Sequence, residues 1–304
     1  MHGSVITAVF LPLALGIIML GLGLSLTLAD FRRVIAYPRA IVVGLVCQVL
    51  LLPAICFGIA KLFALPPELA VGLMLLSASP GGATANLFSH LAKGDVALNI
   101  TLTATNSVVS LLTLPLIVSG SLSYFMADSR AIPIQPDKVV QVFAIVLVPV
   151  AIGMLVRSKK KDTALRLERP VRILSAVFLV LVIGAALAKD RANVGAAFAR
   201  VGLPALAFNL ASLGVGYFVP RMLRLPKRQA IAIGMEIGIH NGTLAIAIAT
   251  TVLARDEMAV PPAIYSIIMF FTAAAFGFLV QRGRGTDEEA AATEPATVVV
   301  APPP

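Results

Sequence analysis

Glu236 is the residue in this sequence with the clearest chemistry. It lies in the apolar stretch IAIGMEIGIHNGTLAIAIATTVL, the only one of fifteen Asp and Glu residues well inside such a segment. A carboxylate at the centre of a bilayer costs about 2.5–3.5 kcal/mol on insertion scales and is kept where it meets a cation, a cavity or a partner. Other polar groups fall at comparable depth. Asn99, Thr103, Asn106, Ser107 and Ser110 follow helical spacing and form one stripe. Gln48 is the one strongly polar side chain deep in its own apolar run, and His240 follows Glu236 by four positions. Carboxylate, amide and hydroxyl oxygens in this number suit a hard cation such as Na⁺, by extension from the oxygen ligation of other hard cations. A Ser/Thr stripe alone is equally what helix–helix hydrogen bonding produces. A carboxylic acid held neutral by burial is the structural alternative for Glu236.

These groups must be positioned by membrane-spanning helices. The 304 residues are 59% hydrophobic and 13% charged, with mean hydropathy +0.95, whereas a soluble domain carries about twice that charge. Nine apolar spans are predicted, over 5–28, 38–62, 66–92, 95–124, 137–157, 170–189, 202–222, 227–253 and 259–281. The remainder, 282–304, is acidic and then Ala/Thr/Pro-rich, the composition of a disordered cytoplasmic tail. The net charge of +9 sits in short loops rather than in basic-aromatic clusters, which argues against nucleic acid. With nine spans, most of the 24 Lys and Arg fall on the side of the C-terminus, notably the Arg157–Arg172 and Arg221–Arg228 loops. The positive-inside rule then places the N-terminus outside and the C-terminus in the cytoplasm. Cys47 and Cys56 lie about 13 Å apart along one helix, too far for a disulfide, and neither is expected at the polar centre.

Two spans cannot be regular helix throughout. The third contains Ser79-Pro80-Gly81-Gly82 at its middle; proline removes a donor and paired glycines favour unwinding. The eighth contains Glu236-Ile-Gly-Ile-His-Asn-Gly-Thr243. Two interrupted helices at corresponding places point to the binding site of a secondary transporter built from inverted repeats. Unwinding frees carbonyls for a cation, and the second half-helix aims its positive N-terminus at an anion.

The motifs SPGGATANLFSHLAKGDVALNITLTA (79–104) and LPKRQAIAIGMEIGIHNGTLA (225–245), with LGIIMLGLGLSLTLADFRRV (15–34) and Gln48 followed by Pro53, resemble the bile acid:sodium symporter family. The chain is similar to a bacterial-type member lacking the first helix. The resemblance implies a core domain, about 38–124 and 202–281, holding two crossing broken helices. It implies a panel domain, about 5–28 and 137–189, in a multi-pass protein of the inner membrane. The implied activity is Na⁺-coupled symport of an organic anion, bile-acid-like or a small carboxylate, with no cofactor beyond the coupling ion. Carried across, one sodium site takes Ala85, Asn86, Asn99, Thr103 and Glu236. The second takes Gln48, Glu236, the backbone at Ile237 and Ile239, and His240. The substrate lies near Thr84 and Asn241.

Three positions depart from the family pattern: Ala85 and Asn99 stand where hydroxyl residues are usual, and His240 where Gln is frequent. Imidazole is a poor Na⁺ ligand and titrates near neutrality. If the helix continues through Gly238, His240 stands one turn from Glu236, and the pair could share a proton in a proton-coupled carrier. A membrane-embedded metalloenzyme using Glu236 and His240 would need a third ligand, and His90 and His2 lie at a span end and at the terminus.

Overall fold

Prolines fix where the helices begin. The computed structural model describes residues 33–127, 136–167 and 194–282, with scattered positions between 16 and 27 and between 170 and 177. Pro38 opens α1 (Pro38–Leu62), and Pro66 and Pro67 open α2 (Pro67–Ala78). Pro226 caps α7 (Lys227–Gly238). In these places the missing N–H of proline is one that the first helical turn leaves unbonded anyway. Between them run α3 (Ala83–Leu91), α4 (Val96–Phe125), α5 (Pro136–Lys159) and α6 (Val194–Met222). The described residues end with α8 (Gly242–Ala247), which widens into a π turn at Ile248–Val252, and α9 (Val260–Arg282).

Among the described residues the structure is all-helical, apart from one isolated antiparallel bridge between Gly81 and His240. Pro38–Leu62, Val96–Phe125, Phe198–Met222 and Asp256–Arg282 are long and apolar enough to cross a membrane. Their outer faces carry Leu50, Leu116, Phe218 and Phe271, all exposed, which suits hydrocarbon rather than water as solvent. The predicted spans 5–28 and 170–189 lie largely outside the described residues, as does the tail beyond 282.

Both interruptions are present. The third predicted span divides into α2 and α3 around 79–82, and the eighth into α7 and α8 around 239–241. The second break is narrower than the sequence suggests, because α7 stays helical through Glu236 to Gly238. The approaches to the two broken helices share a backbone. Ala64 and Arg224 both take a left-handed conformation (φ 47 and 58). Leu65 N–H and Leu225 N–H reach back to the carbonyls of Ala60 and Pro220, and Pro66 and Pro226 have nearly the same torsions.

One further irregularity matters to the site. Pro53 cannot donate to the carbonyl four residues earlier, and α1 absorbs this with a π turn at Cys47–Leu51, in which Leu52 N–H bonds the Cys47 carbonyl. Gln48 sits in that widened turn, consistent with the tendency of π turns to mark functional positions.

The α4 and α7 helices are tied together at one-turn intervals. Asp95 N–H bonds the Arg228 carbonyl (2.9 Å), Asn99 Nδ2 the Ala232 carbonyl (2.6 Å), and Thr103 Oγ1 the Glu236 carboxylate (2.6 Å). Each step advances four residues on both helices, so the two run parallel and in register up to the point where α7 stops.

Candidate functional site

Breaking α2 at Pro80 strips donors from its last carbonyls, and side chains replace them. Gln48 Nε2 donates to the carbonyls of Ser77 (3.0 Å) and Ser79 (3.1 Å). His240 Nδ1 lies 3.0 Å from the same Ser79 oxygen; since a carbonyl only accepts, Nδ1 carries the proton. Across the bridge, Asn241 N–H bonds the Pro80 carbonyl (2.8 Å). In a continuous helix that N–H would have gone to Ile237, so the Ile237 carbonyl is released from the ladder.

Glu236 is fully buried at the end of α7, against the first break. Its Oε2 accepts from Thr103 and its Oε1 from Asn106 Nδ2 at 3.3 Å. The Gly81 backbone lies directly against the carboxylate. The Thr103 hydroxyl has one proton to give and lies 3.0 Å from the Asn99 carbonyl as well.

The second break has its own support. The Gly238 carbonyl receives Asn209 Nδ2 and the Tyr265 hydroxyl, each at 2.9 Å, and Asn209 Oδ1 accepts from Thr272. Phe208 stacks on the His240 ring (centroids 5.6 Å apart, planes 11° apart), with Tyr265 packed beside both. Asn241 caps α8, its Oδ1 accepting from Leu244 N–H at 3.0 Å. That leaves the amide hydrogens of Asn241 for any ligand.

Several buried polar atoms have no protein partner: Gln48 Oε1, Asn86 Oδ1, Asn99 Oδ1, Asn106 Oδ1, Ser89 Oγ and His240 Nε2. A buried polar atom without a partner costs about 1–3 kcal/mol. Four of these are amide oxygens, three of them on side chains that Asn99, Asn106 and Gln48 anchor through their nitrogens next to Glu236 or the breaks. An arrangement of amide oxygens around a carboxylate can bind a hard cation.

The sequence-predicted residues divide accordingly. Gln48, Asn99, Thr103, Glu236 and His240 are brought to the crossing, with Ile237 and Ile239 buried in the chain that turns there. Ala85 is buried and Asn86 half-buried at the start of α3, while Thr84 is exposed. The Glu236–His240 stack expected of a continuous helix does not form. The chain leaves the helix at Ile239 (φ −114, ψ 89), and His240 meets Ser79 instead. Cys47 and Cys56 are both free and buried. No group of three or more metal-binding His, Cys, Asp or Glu side chains occurs among the described residues.

Comparison with known proteins settles the class of molecule. The model of the sodium bile acid symporter family matches residues 12–197, which include the first break and all of the polar helix α4. The chain belongs to this family. It is 27% identical over 85% of its length to YocS of Bacillus subtilis, named an uncharacterized sodium-dependent transporter, and spans 78% of that protein. It is 28% identical over 83% of its length to BASS1 of Arabidopsis thaliana, named a probable chloroplast sodium/metabolite cotransporter, and spans 62% of it. It is 26% identical over 90% of its length to the ileal sodium/bile acid cotransporter of Oryctolagus cuniculus, spanning 79%. The protein is thus a multi-pass membrane protein of a transporter family, not an enzyme.

Proposed function

We propose that this protein is a sodium-coupled symporter of a small organic anion working by alternating access. The observation that carries this reading is the fully buried Glu236 carboxylate at the crossing of two broken helices, beside amide oxygens that no protein donor satisfies. One Na⁺ is assigned to Ala85, Asn86, Asn99, Thr103 and Glu236. A second is assigned to Gln48, Glu236, the carbonyls of Ile237 and Ile239, and His240, whose free nitrogen is Nε2. Each carboxylate oxygen has two lone pairs, so protein donors and cations can share Glu236.

The anion is placed at the N-terminal ends of α3 and α8, near the exposed Thr84 hydroxyl and the amide hydrogens of Asn241. Helix N-termini favour negative charge. Sodium neutralises Glu236 and orders the crossing, and by linkage the anion then binds more tightly, as does sodium in its presence. The shared backbone before α2 and α7 supports an inverted repeat with core and panel domains. The placing of the N-terminus outside and the C-terminus in the cytoplasm of the inner membrane rests on the loop charges. Names of relatives suggest bile acids or metabolite anions, and this chain is assigned only the shared class, a carboxylate-bearing organic anion.

A thermal-shift screen of purified protein against organic anions, with Na⁺ or K⁺ as the only cation, tests this. The expected result is stabilisation by one or more anions in Na⁺ but not in K⁺. Equal stabilisation in both salts removes sodium coupling from the proposal.

A further inference from the structure

The polar stripe on α4 is not uniform. Ser107 and Ser110 close on their own helix, their hydroxyls donating to the carbonyls of Thr103 (2.7 Å) and Ser107 (2.8 Å). Asn99 and Asn106 do not. Each spends its amide nitrogen on α7 and keeps an unpartnered oxygen, and both residues are almost wholly inaccessible to solvent. Asn99, Thr103 and Asn106 lie at i, i+4 and i+7, so the two open oxygens flank the hydroxyl that meets Glu236 on a single helix face.

The orientation of the Asn106 amide follows from its neighbour. Oε1 of Glu236 is an acceptor, so Nδ2 must face it, and turning the amide over would set two oxygens against each other. A buried amide with half its hydrogen-bonding capacity idle, next to a carboxylate, is poor packing. An apolar side chain would fill the same space without orphaning an oxygen. It is good coordination chemistry, because nitrogen holds the carboxylate while oxygen faces a positive charge.

We infer that Asn106 supplies a further oxygen ligand to the cation bound by Glu236, and helps set which cation the site prefers. The inference rests on the sodium-symport reading above and adds a ligand to it. Asn106 then does two things at one place: it orients Glu236 through Nδ2 and coordinates through Oδ1. Removing a ligand changes the size of cation a cage accepts, whereas loosening the carboxylate weakens all cations in proportion.

The test is the thermal stabilisation of purified full-length protein titrated with Na⁺ and with Li⁺, in a choline background without organic anion. Asn106→Leu, or Asn106→Ala where Leu does not yield monodisperse protein, should raise the half-maximal Na⁺ concentration about tenfold and alter the Na⁺-to-Li⁺ ratio. A proportional loss for both ions, with the ratio kept, makes Asn106 a positioning residue only and overturns the inference. Unchanged titrations overturn it too. Glu236→Gln serves as the reference: if it titrates as the parent does, the cation site itself is misassigned. If it loses the response while Asn106→Leu and Asn106→Ala keep theirs, only the role of Asn106 falls.

Discussion

Gly81 lies so close to Glu236 that a Cβ placed on it would stand 2.5 Å from the carboxyl carbon and 2.5–2.6 Å from the two oxygens. The first broken helix thus touches the acid of the second through bare backbone. Any residue with a Cβ here would displace the carboxylate.

Gly81→Ala should therefore act at the site more than on the fold. Overpacking costs about 1–3 kcal/mol, and here the displaced atoms are the proposed cation ligand. Sodium-stimulated uptake by reconstituted protein should fall about tenfold or more, with the melting temperature in sodium-free buffer lowered by only a few degrees. Parent-like sodium dependence in this variant would mean that the two breaks separate during turnover without consequence.

Gln48 holds the two released carbonyls of α2 through one amide nitrogen while its oxygen stays open. Gln48→Leu should orphan Ser77 and Ser79 at about 1–3 kcal/mol for each acceptor left without another donor. His240 still serves Ser79, so the larger share falls on Ser77. Lower thermal stability together with a reduced Hill slope for sodium is expected, measured by differential scanning fluorimetry and by uptake.

At the second break two donors converge on the Gly238 carbonyl. Tyr265→Phe alone should cost about 1 kcal/mol, because Asn209 remains. Asn209→Leu leaves the Thr272 hydroxyl its bonds to the Ile268 and Met269 carbonyls, so its cost should likewise be about 1 kcal/mol. The double variant should lose more than the two single losses combined, since the carbonyl then has no donor; a double-mutant cycle by chemical denaturation measures the coupling. Simple additivity would show that the pair is not a unit.

His240→Gln tests the departure in the proposed second sodium site. The amide can donate to Ser79 as the imidazole does and offers an oxygen where Nε2 now stands. The half-maximal sodium concentration and the Hill slope of uptake should both shift. Values that match the parent would make His240 a structural link between the breaks.

Much of this site was legible in the sequence because hydrocarbon makes polar residues conspicuous. Glu236, Gln48 and the α4 stripe stand out by depth alone, and proline and glycine mark the first break. Asn209 carries the same signal as Gln48, a lone amide in an apolar span, but its bond to the second break is set by the packing of α6 against α7. The lack of a Glu236–His240 stack could not be read, because glycine permits a helix to continue as readily as to stop. The π turn beneath Gln48 follows from Pro53, yet only its backbone geometry reveals that the turn widens rather than kinks. In the sequence Gly81 marks a helix break, whereas its closest constraint is a contact with a residue far along the chain.

The central claim is that a cation compensates the charge of Glu236 during transport. Its most direct measurement is uptake of an identified anion by proteoliposomes containing Glu236→Gln, with external Na⁺ varied at fixed pH and membrane potential. The account predicts a folded, monodisperse protein whose residual uptake does not respond to sodium. Sodium stimulation at the level of the parent would contradict it.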